Sequence, residues 1–229
     1  MARMRKIKRA ELTNLLQHNS RTAKRKADHI DTGRAHLNRR LSPDRQGREL
    51  DFFKERMNQI DVGRERKNRV VCVEWIVTAP RSIAPSDVDR FFDVVYAHLC
   101  KKYGGEQNVI SCYQHGDEDG AVHIHIDVLP LVKNPDGSDR LNAKLLLDDK
   151  KSKHLSNWHN QVDAALVAAG FPPTQNGATR AHGKNRTVAD LKRQESGEYQ
   201  RELDALEREQ TNRKIKLNRK EDKDYEIIR

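Results

Sequence analysis

Cysteine is scarce in this chain and odd in number. The 229 residues hold only Cys72, Cys100 and Cys112, never as a CxxC pair. A disulfide framework is therefore not expected, and the three read as reduced thiols, two of them in core strands. Long apolar runs are missing too. The longest, Val70 to Val77, is broken by Glu74 and falls far short of the ~20 residues that span a bilayer. The basic start MARMRKIKRAE has no apolar stretch behind it, which argues against a secretory signal. Internal repeats and low-complexity tracts are absent as well. Hydrophobic residues make up 35% of the chain, a low share for a soluble domain, so part of the chain is expected to lie outside any core.

What the chain has in excess is positive charge, a formal net of +10. Residues 1–70 hold 20 basic and 9 acidic side chains, residues 71–189 hold 13 and 14, and residues 190–229 hold 11 of each. The whole excess thus belongs to the first third, where arginine outnumbers lysine. Localised arginine-rich charge points to a polyanion, most simply the phosphates of nucleic acid. Residues 194–229 read as a charged helical tail or linker, and residues 1–193 as the functional domain.

Periodicity predicts a strand over 1–8, a polar motif-bearing stretch over 10–40, and a helix from Ser42 towards residue 60. The β-branched run 70–79 predicts a central strand. Val88, Phe91, Phe92, Val95 and Leu99 form one helical stripe, closed by Gly104-Gly105. Strands are expected over 107–114 and 121–131, a turn at Asn134–Gly137, and a helix over 152–169. The order predicts an α+β fold in which helices cover a mainly antiparallel sheet.

The chemistry concentrates in His115-Gly116-Asp117-Glu118 and His123-Ile124-His125. On a strand, Val122, Ile124, Ile126 and Val128 share the core face, while His123, His125 and Asp127 share the other. A hairpin would bring His115 beside that pair. Three neutral imidazoles with one carboxylate suit Mn²⁺, Zn²⁺ or Fe²⁺ and leave coordination positions open for substrate. A second cluster, His18-Asn19-Ser20-Arg21 and His36-Leu37-Asn38, lies in the basic third.

These residues resemble a known family. The HxH strand is similar to that of HUH nucleases, and more closely the chain resembles MobV-family (Pre/Mob) mobilisation relaxases. The matching segments are His18–Arg21, His36–Asn38, Val73-Glu74-Trp75-Ile76, His115–Glu118 with His123–His125, and Lys184-Asn185-Arg186-Thr187-Val188-Ala189-Asp190-Leu191-Lys192. They run in order over residues 1–193. Two departures stand out. The loop after Glu118 is one residue longer, with Val122 in place of the family's proline, and Arg39 stands where the family has a tyrosine.

The resemblance implies a five-stranded HUH-type sheet and a cytoplasmic, bacterial enzyme. It implies nicking and rejoining of single-stranded or hairpin DNA at a plasmid origin of transfer, for conjugative mobilisation. His18 would be the nucleophile, with Glu118 as a second catalytic group. A divalent ion, Mn²⁺ before Mg²⁺ or others, would sit on His115, His123 and His125. Arg21, Lys24, Arg25, Arg34, His36 and Asn38 would hold DNA. Partners implied beyond DNA are the conjugation coupling machinery and a second copy, joined through a C-terminal region. Two alternatives stay open: a rolling-circle initiator with a tyrosine nucleophile, and a non-catalytic DNA-binding module.

Overall fold

A computed structural model describes residues 2–24, 29–64, 66–80, 82–118, 120–148 and 157–172. The expected charged tail, Arg25 and the 184–192 motif lie outside the described residues. Strand β1 (Ala2–Lys8) leads into helix α1 (Arg9–Asn19), followed by the short strand β2 (Arg39–Arg40) and helix α2 (Glu49–Asn58). Strand β3 (Val70–Thr78), helix α3 (Val88–Lys102) and strands β4 (Val109–His115) and β5 (His123–Val128) come next. Strands β6 (Leu131–Lys133) and β7 (Asp139–Leu141), a short helix α4 (Ala143–Leu146) and helix α5 (Trp158–Ala168) complete the order.

The main sheet has five antiparallel strands in the order β1-β3-β5-β4-β2, so the α+β class and the five-stranded sheet are as expected. Its two faces are both covered. On one face, Val73, Trp75, Val77, Ile124, Ile126 and Val128 pack against the α3 stripe and α5, with Trp75 stacked on Trp158 at 4.1 Å between ring centroids. On the other, Ile7, Cys72, Ile110 and Leu129 pack with Leu12, Leu15, Leu16 and Phe53 of α1 and α2. The three cysteines are free and buried. No helix of the described residues is long and apolar enough to cross a membrane.

Three differences from the sequence reading have physical causes. Helix α1 lies in the stretch read as merely polar. Its buried positions are Leu12, Leu15, Leu16 and Asn19, a helical stripe whose last member is an amide and so escapes an apolar count. Helix α2 begins at Glu49, not Ser42. The Ser42 hydroxyl accepts from the Cys112 backbone N–H at 3.1 Å, so it extends the β2–β4 edge instead of capping a helix, and Gly47 at φ +88° turns the chain before α2 starts. The expected 121–131 strand is split: β5 ends at Val128, and β6 opens a separate hairpin with β7 around the Asn134–Gly137 turn, where Gly137 has φ +86°.

Because α1 carries the first histidine cluster, its anchorage matters for the site. Leu16 is 3% exposed, so Leu16→Ala should cost about 2–5 kcal/mol through lost transfer energy and the cavity left behind. Urea unfolding with an unchanged m-value is the measurement.

Candidate active site and metal centre

The β4–β5 register pairs His115 directly with His123, and the β3–β5 register places Ile76 and Glu74 beside His125 and Asp127. His115, His123 and His125 therefore meet on the α1 side of the sheet, with ring centroids 4.9–5.6 Å apart. Each ring has one nitrogen engaged by the protein. His115 Nε2 lies 2.8 Å from the Asn19 carbonyl, His123 Nδ1 lies 3.1 Å from the Ala121 carbonyl, and His125 Nδ1 lies 2.7 Å from Glu74 Oε1. Acceptors at those three points fix the tautomers, so each ring turns a lone pair inward: Nδ1 of His115 and Nε2 of His123 and His125.

Two of those inward nitrogens, His115 Nδ1 and His125 Nε2, are buried without a hydrogen-bond partner. Such orphans are costly, and a cation facing them would satisfy both. The donor set of His115, Glu118, His123 and His125 lies within 4.8 Å throughout. Burial pushes the His125 imidazole down to about 4, against the raising effect of Glu74, so it is neutral and ligand-competent at pH 7. The residues present fit a divalent ion.

Glu118 occupies the centre. Its Oε1 is 3.5 Å from His115 Nδ1 and 3.5 Å from His18 Nε2, and its Oε2 is 3.4 Å from His123 Nε2. Burial alone would raise its pKa, but the His115, His123 and His18 rings, when they carry a proton towards it, and Arg21 hold it well below the usual carboxylate range. His18 sits in the last turn of α1, its side chain 34% exposed. Its ring lies 6.2 Å from that of His115 and 6.1 Å from that of His125.

The remaining sequence-named residues take varied positions. Arg21 closes α1 in the left-handed region at φ +61°, a conformation that costs a non-glycine residue of order 1 kcal/mol. Its guanidinium donates to Asp117 Oδ2 at 3.0 Å, to Glu118 Oε1 at 2.8 Å and to the His18 carbonyl at 3.1 Å. Those bonds hold the strained turn and fix the 117–118 loop. Asn38 donates to Asp117 Oδ2 at 2.6 Å and accepts from the Gly116 N–H at 2.9 Å, clamping the same loop from the other side. Arg34 is half-buried, and Lys24 and His36 are exposed. None of these three touches the histidine cluster through a hydrogen bond or ion pair among the described residues.

Gly116 is required by close approach. A Cβ there would lie 2.7 Å from the Leu37 Cβ and 3.2 Å from its carbonyl. Gly116→Ala is expected to cost about 1–3 kcal/mol by overpacking, a Tm loss of about 2–4 °C per kcal/mol. Because the clash sits between His115 and Glu118, two members of the candidate donor set, Mn²⁺ affinity should fall with it, and a calorimetric titration reads that loss directly.

Several residues at the site take places that the sequence reading did not assign. Glu74 is legible in the sequence as a break in an apolar strand and as part of the family-like Val73–Ile76 segment, but not as what it is in the structure, the acceptor that orients His125 and bonds Arg5 at 2.9 Å. Asn19 is fully buried, donating to Asp127 Oδ2 at 2.9 Å while its carbonyl holds His115. Ser111 donates to the same Asp127 oxygen at 2.6 Å. Burial raises the Asp127 carboxyl to about 7, with the Glu74 charge adding to the rise. The signal for these residues was polarity at buried helix or strand positions. His29 is brought to the site by an antiparallel bridge between Ile30 and Glu118, and no local signal marks it.

Comparison with known proteins bears on the same constellation. A family model described as plasmid recombination enzyme, Mob_Pre, matches residues 1–193. The plasmid recombination enzyme of Streptococcus agalactiae is 27% identical over 201 residues, which cover 84% of this chain and 38% of that protein. The plasmid recombination enzyme type 2 of Staphylococcus aureus is 31% identical over 165 residues, 68% of this chain and 39% of that protein. The chain thus spans about two fifths of the length of these curated relatives. Among solved structures, the manganese-bound MobM relaxase domain (MOBV; Mob_Pre) in complex with plasmid pMV158 oriT DNA at pH 6.8 is similar with a TM-score of 0.67. It is 26% identical, and the match covers 84% of this chain and 97% of that one. A further manganese-bound MobM complex, at pH 4.6, gives 27% identity, 84% and 98% coverage and a TM-score of 0.65. With the five-stranded sheet, the histidine centre and these matches in agreement, the chain belongs to the Mob_Pre family of MobV relaxases, the plasmid recombination enzymes.

Proposed function

We propose that this chain nicks and rejoins one DNA strand at a plasmid origin of transfer, through a covalent bond between His18 and the 5′-phosphoryl end. The observation that carries the reading is the placement of the His18 imidazole against Glu118 and beside the rings of His115 and His125. The manganese-bound oriT DNA complexes of the MobM relaxase domain support the same substrate class. His115, His123 and His125 would hold the ion, with Glu118 beside them. A bound divalent ion would supply positive charge to polarise the scissile phosphate and offset charge that develops in the transition state.

The chain's own residues do the rest. Neutral His18, protonated at Nδ1, attacks phosphorus through Nε2 as the P–O3′ bond breaks; the phosphorylated ring gives its Nδ1 proton to water, the departing O3′ takes one from water to leave as a free 3′-OH, and the 5′-phosphoryl group stays on nitrogen. That P–N bond conserves the energy of the phosphodiester, so attack by a 3′-OH reverses the step without ATP. Glu118 lies against His18 Nε2 and is placed to take a proton from that nitrogen, so that the lone pair is free for attack. Arg21 fixes both the turn that carries His18 and the loop that carries Glu118. The exposed basic residues of the first third, Lys24 among them, would bind phosphates along the strand. Docking on the conjugation machinery and pairing of two copies through a C-terminal region belong to the same proposal and rest on family resemblance.

Among the described residues, position disfavours the tyrosine alternative; Tyr199 and Tyr225 of the tail lie outside them. Tyr103 accepts the Trp75 indole N–H at 2.8 Å on the far side of the sheet, and Tyr96 bonds Glu106 at 2.9 Å. Tyr113 shares the His125 face but its hydroxyl is bonded to Glu49. Burial first, then that carboxylate, pushes its pKa up, the wrong direction for a nucleophile. Peptide mass spectrometry after incubation with origin oligonucleotides and Mn²⁺ tests the reading. The adduct is expected on the peptide that contains His18, and an adduct on any tyrosine, Tyr113 and Tyr199 included, overturns it.

A further inference from the structure

Glu118 faces two histidine pairs. Beyond His115 and His123, its Oε1 is 3.5 Å from His18 Nε2 and its Oε2 is 3.9 Å from His29 Nε2. The ligand atoms of His18, His29 and Glu118 all lie within 4.8 Å of one another. Two ligands on a tetrahedral zinc at about 2.0–2.1 Å stand about 3.3 Å apart, so 3.5 and 3.9 Å need only small side-chain movement. The two imidazole rings are 6.2 Å apart by centroid, which leaves room for an ion between them. The geometry points to a second, weaker transition-metal site on His18, His29 and Glu118, whose occupancy by Zn²⁺ blocks the His18 nitrogen and thereby inhibits the enzyme.

Charge explains why this site is secondary. Asp117 and Glu118 contribute two negative charges, and Arg21, bonded to both, contributes one positive. A first divalent ion on the buried histidines leaves the cluster net positive, so a second ion meets repulsion and binds less tightly. Exposure acts in the same direction: the His29 side chain is 49% exposed and that of His18 34%, whereas His115 and His125 are almost fully buried. Two imidazoles select for zinc, copper or cobalt over magnesium. Coordination takes the Nε2 lone pair that attack on phosphorus requires, so the ion excludes catalysis while it is bound. The site rests on the His18 reading only for that inhibitory consequence; the binding itself does not depend on it.

Equilibrium dialysis of the whole chain against Zn²⁺, with metal counted by atomic emission, separates these elements. Wild type is expected to hold one equivalent more than His29→Asn, and one more than His125→Ala. Because His29 is exposed, His29→Asn should keep the wild-type circular dichroism spectrum. Equal zinc content in wild type and His29→Asn overturns the second site. Equal content in wild type and His125→Ala instead sinks the buried metal centre and leaves the second site standing. In the nicking assay, each protein is referred to its own rate in Mn²⁺ alone. His29→Asn should then need about tenfold or more Zn²⁺ for half inhibition, the usual scale for weakening a metal site. Identical half-inhibition by Zn²⁺ in both proteins overturns the inhibitory role.

Discussion

His18→Ala is expected to lower strand cleavage by about a thousandfold or more and to remove the covalent adduct altogether, since losing a nucleophile removes the covalent route and not merely one of its aids. Stability should be almost untouched. The side chain is a third exposed and sits outside both apolar layers, so the change leaves no buried cavity. Mn²⁺ affinity should survive as well, because the three inward-facing nitrogens belong to His115, His123 and His125. The expected signature is thus a protein that folds, binds metal and binds DNA yet does not nick. Nicking of supercoiled plasmid carrying the cognate origin, run beside a melting curve with and without Mn²⁺, measures all of these. A His18→Ala protein that still nicks within tenfold of wild type would sink the histidine mechanism.

The location of the positive charge gains detail from the structure. Much of the arginine excess in residues 1–70 is paired with groups of the protein itself. Arg39 bonds Asp93, Arg48 bonds Asp51 and Arg56 bonds Asp139. Arg45 donates to the Ile110 and Glu106 carbonyls and lies 3.7 Å over the Phe52 ring. Arg21 is held by two carboxylates. The planar fork that suits arginine to phosphate suits it equally to carboxylates and carbonyls. Arg3, Arg5, Lys6 and Lys8 on β1 and Lys24 after α1 are exposed, and of these Arg5 is paired with Glu74, so the other four carry more of the expected salt dependence of DNA binding than the arginine count alone implies.

What the sequence made legible follows one rule: periodic apolar patterns and short-range spacing could be read. The HxH pair needed only the two-residue period of a strand, and the α3 stripe needed only the helical one. Long-range polar contacts could not be read. Glu74 is 51 residues from the His125 it orients, and Asn19 is 108 from Asp127. His29 reaches Glu118 through a single bridge between otherwise irregular segments. Helix α1 was missed because Asn19 closes its buried stripe, and that amide is there for the site.

His125→Ala should abolish the response to manganese, with Glu74→Gln falling between it and wild type. An ion at 100 times its Kd stabilises the folded state by about 2.7 kcal/mol, which at about 2–4 °C per kcal/mol is a Tm rise of about 5–11 °C. In His125→Ala one of two orphaned nitrogens is gone and the donor set opens on the Glu74 side, so no rise is expected. Glu74→Gln leaves the ring in place but replaces a charged acceptor by a neutral one. Loss of such a supporting carboxylate typically costs 10–100-fold in metal affinity, so the Mn²⁺ concentration that gives the same Tm rise should move up by about that factor. Without Mn²⁺, Glu74→Gln need not be unstable. Burying the carboxylate raises its pKa, and the His125 and Arg5 partners lower it again. The carboxylate thus carries its own burial cost, and removing the charge recovers part of that cost. The graded order, wild type above Glu74→Gln above His125→Ala in Mn²⁺ affinity, follows from His125 being held at Nδ1 so that Nε2 faces the ion. A full manganese-induced Tm rise in His125→Ala would mean that the ion sits elsewhere.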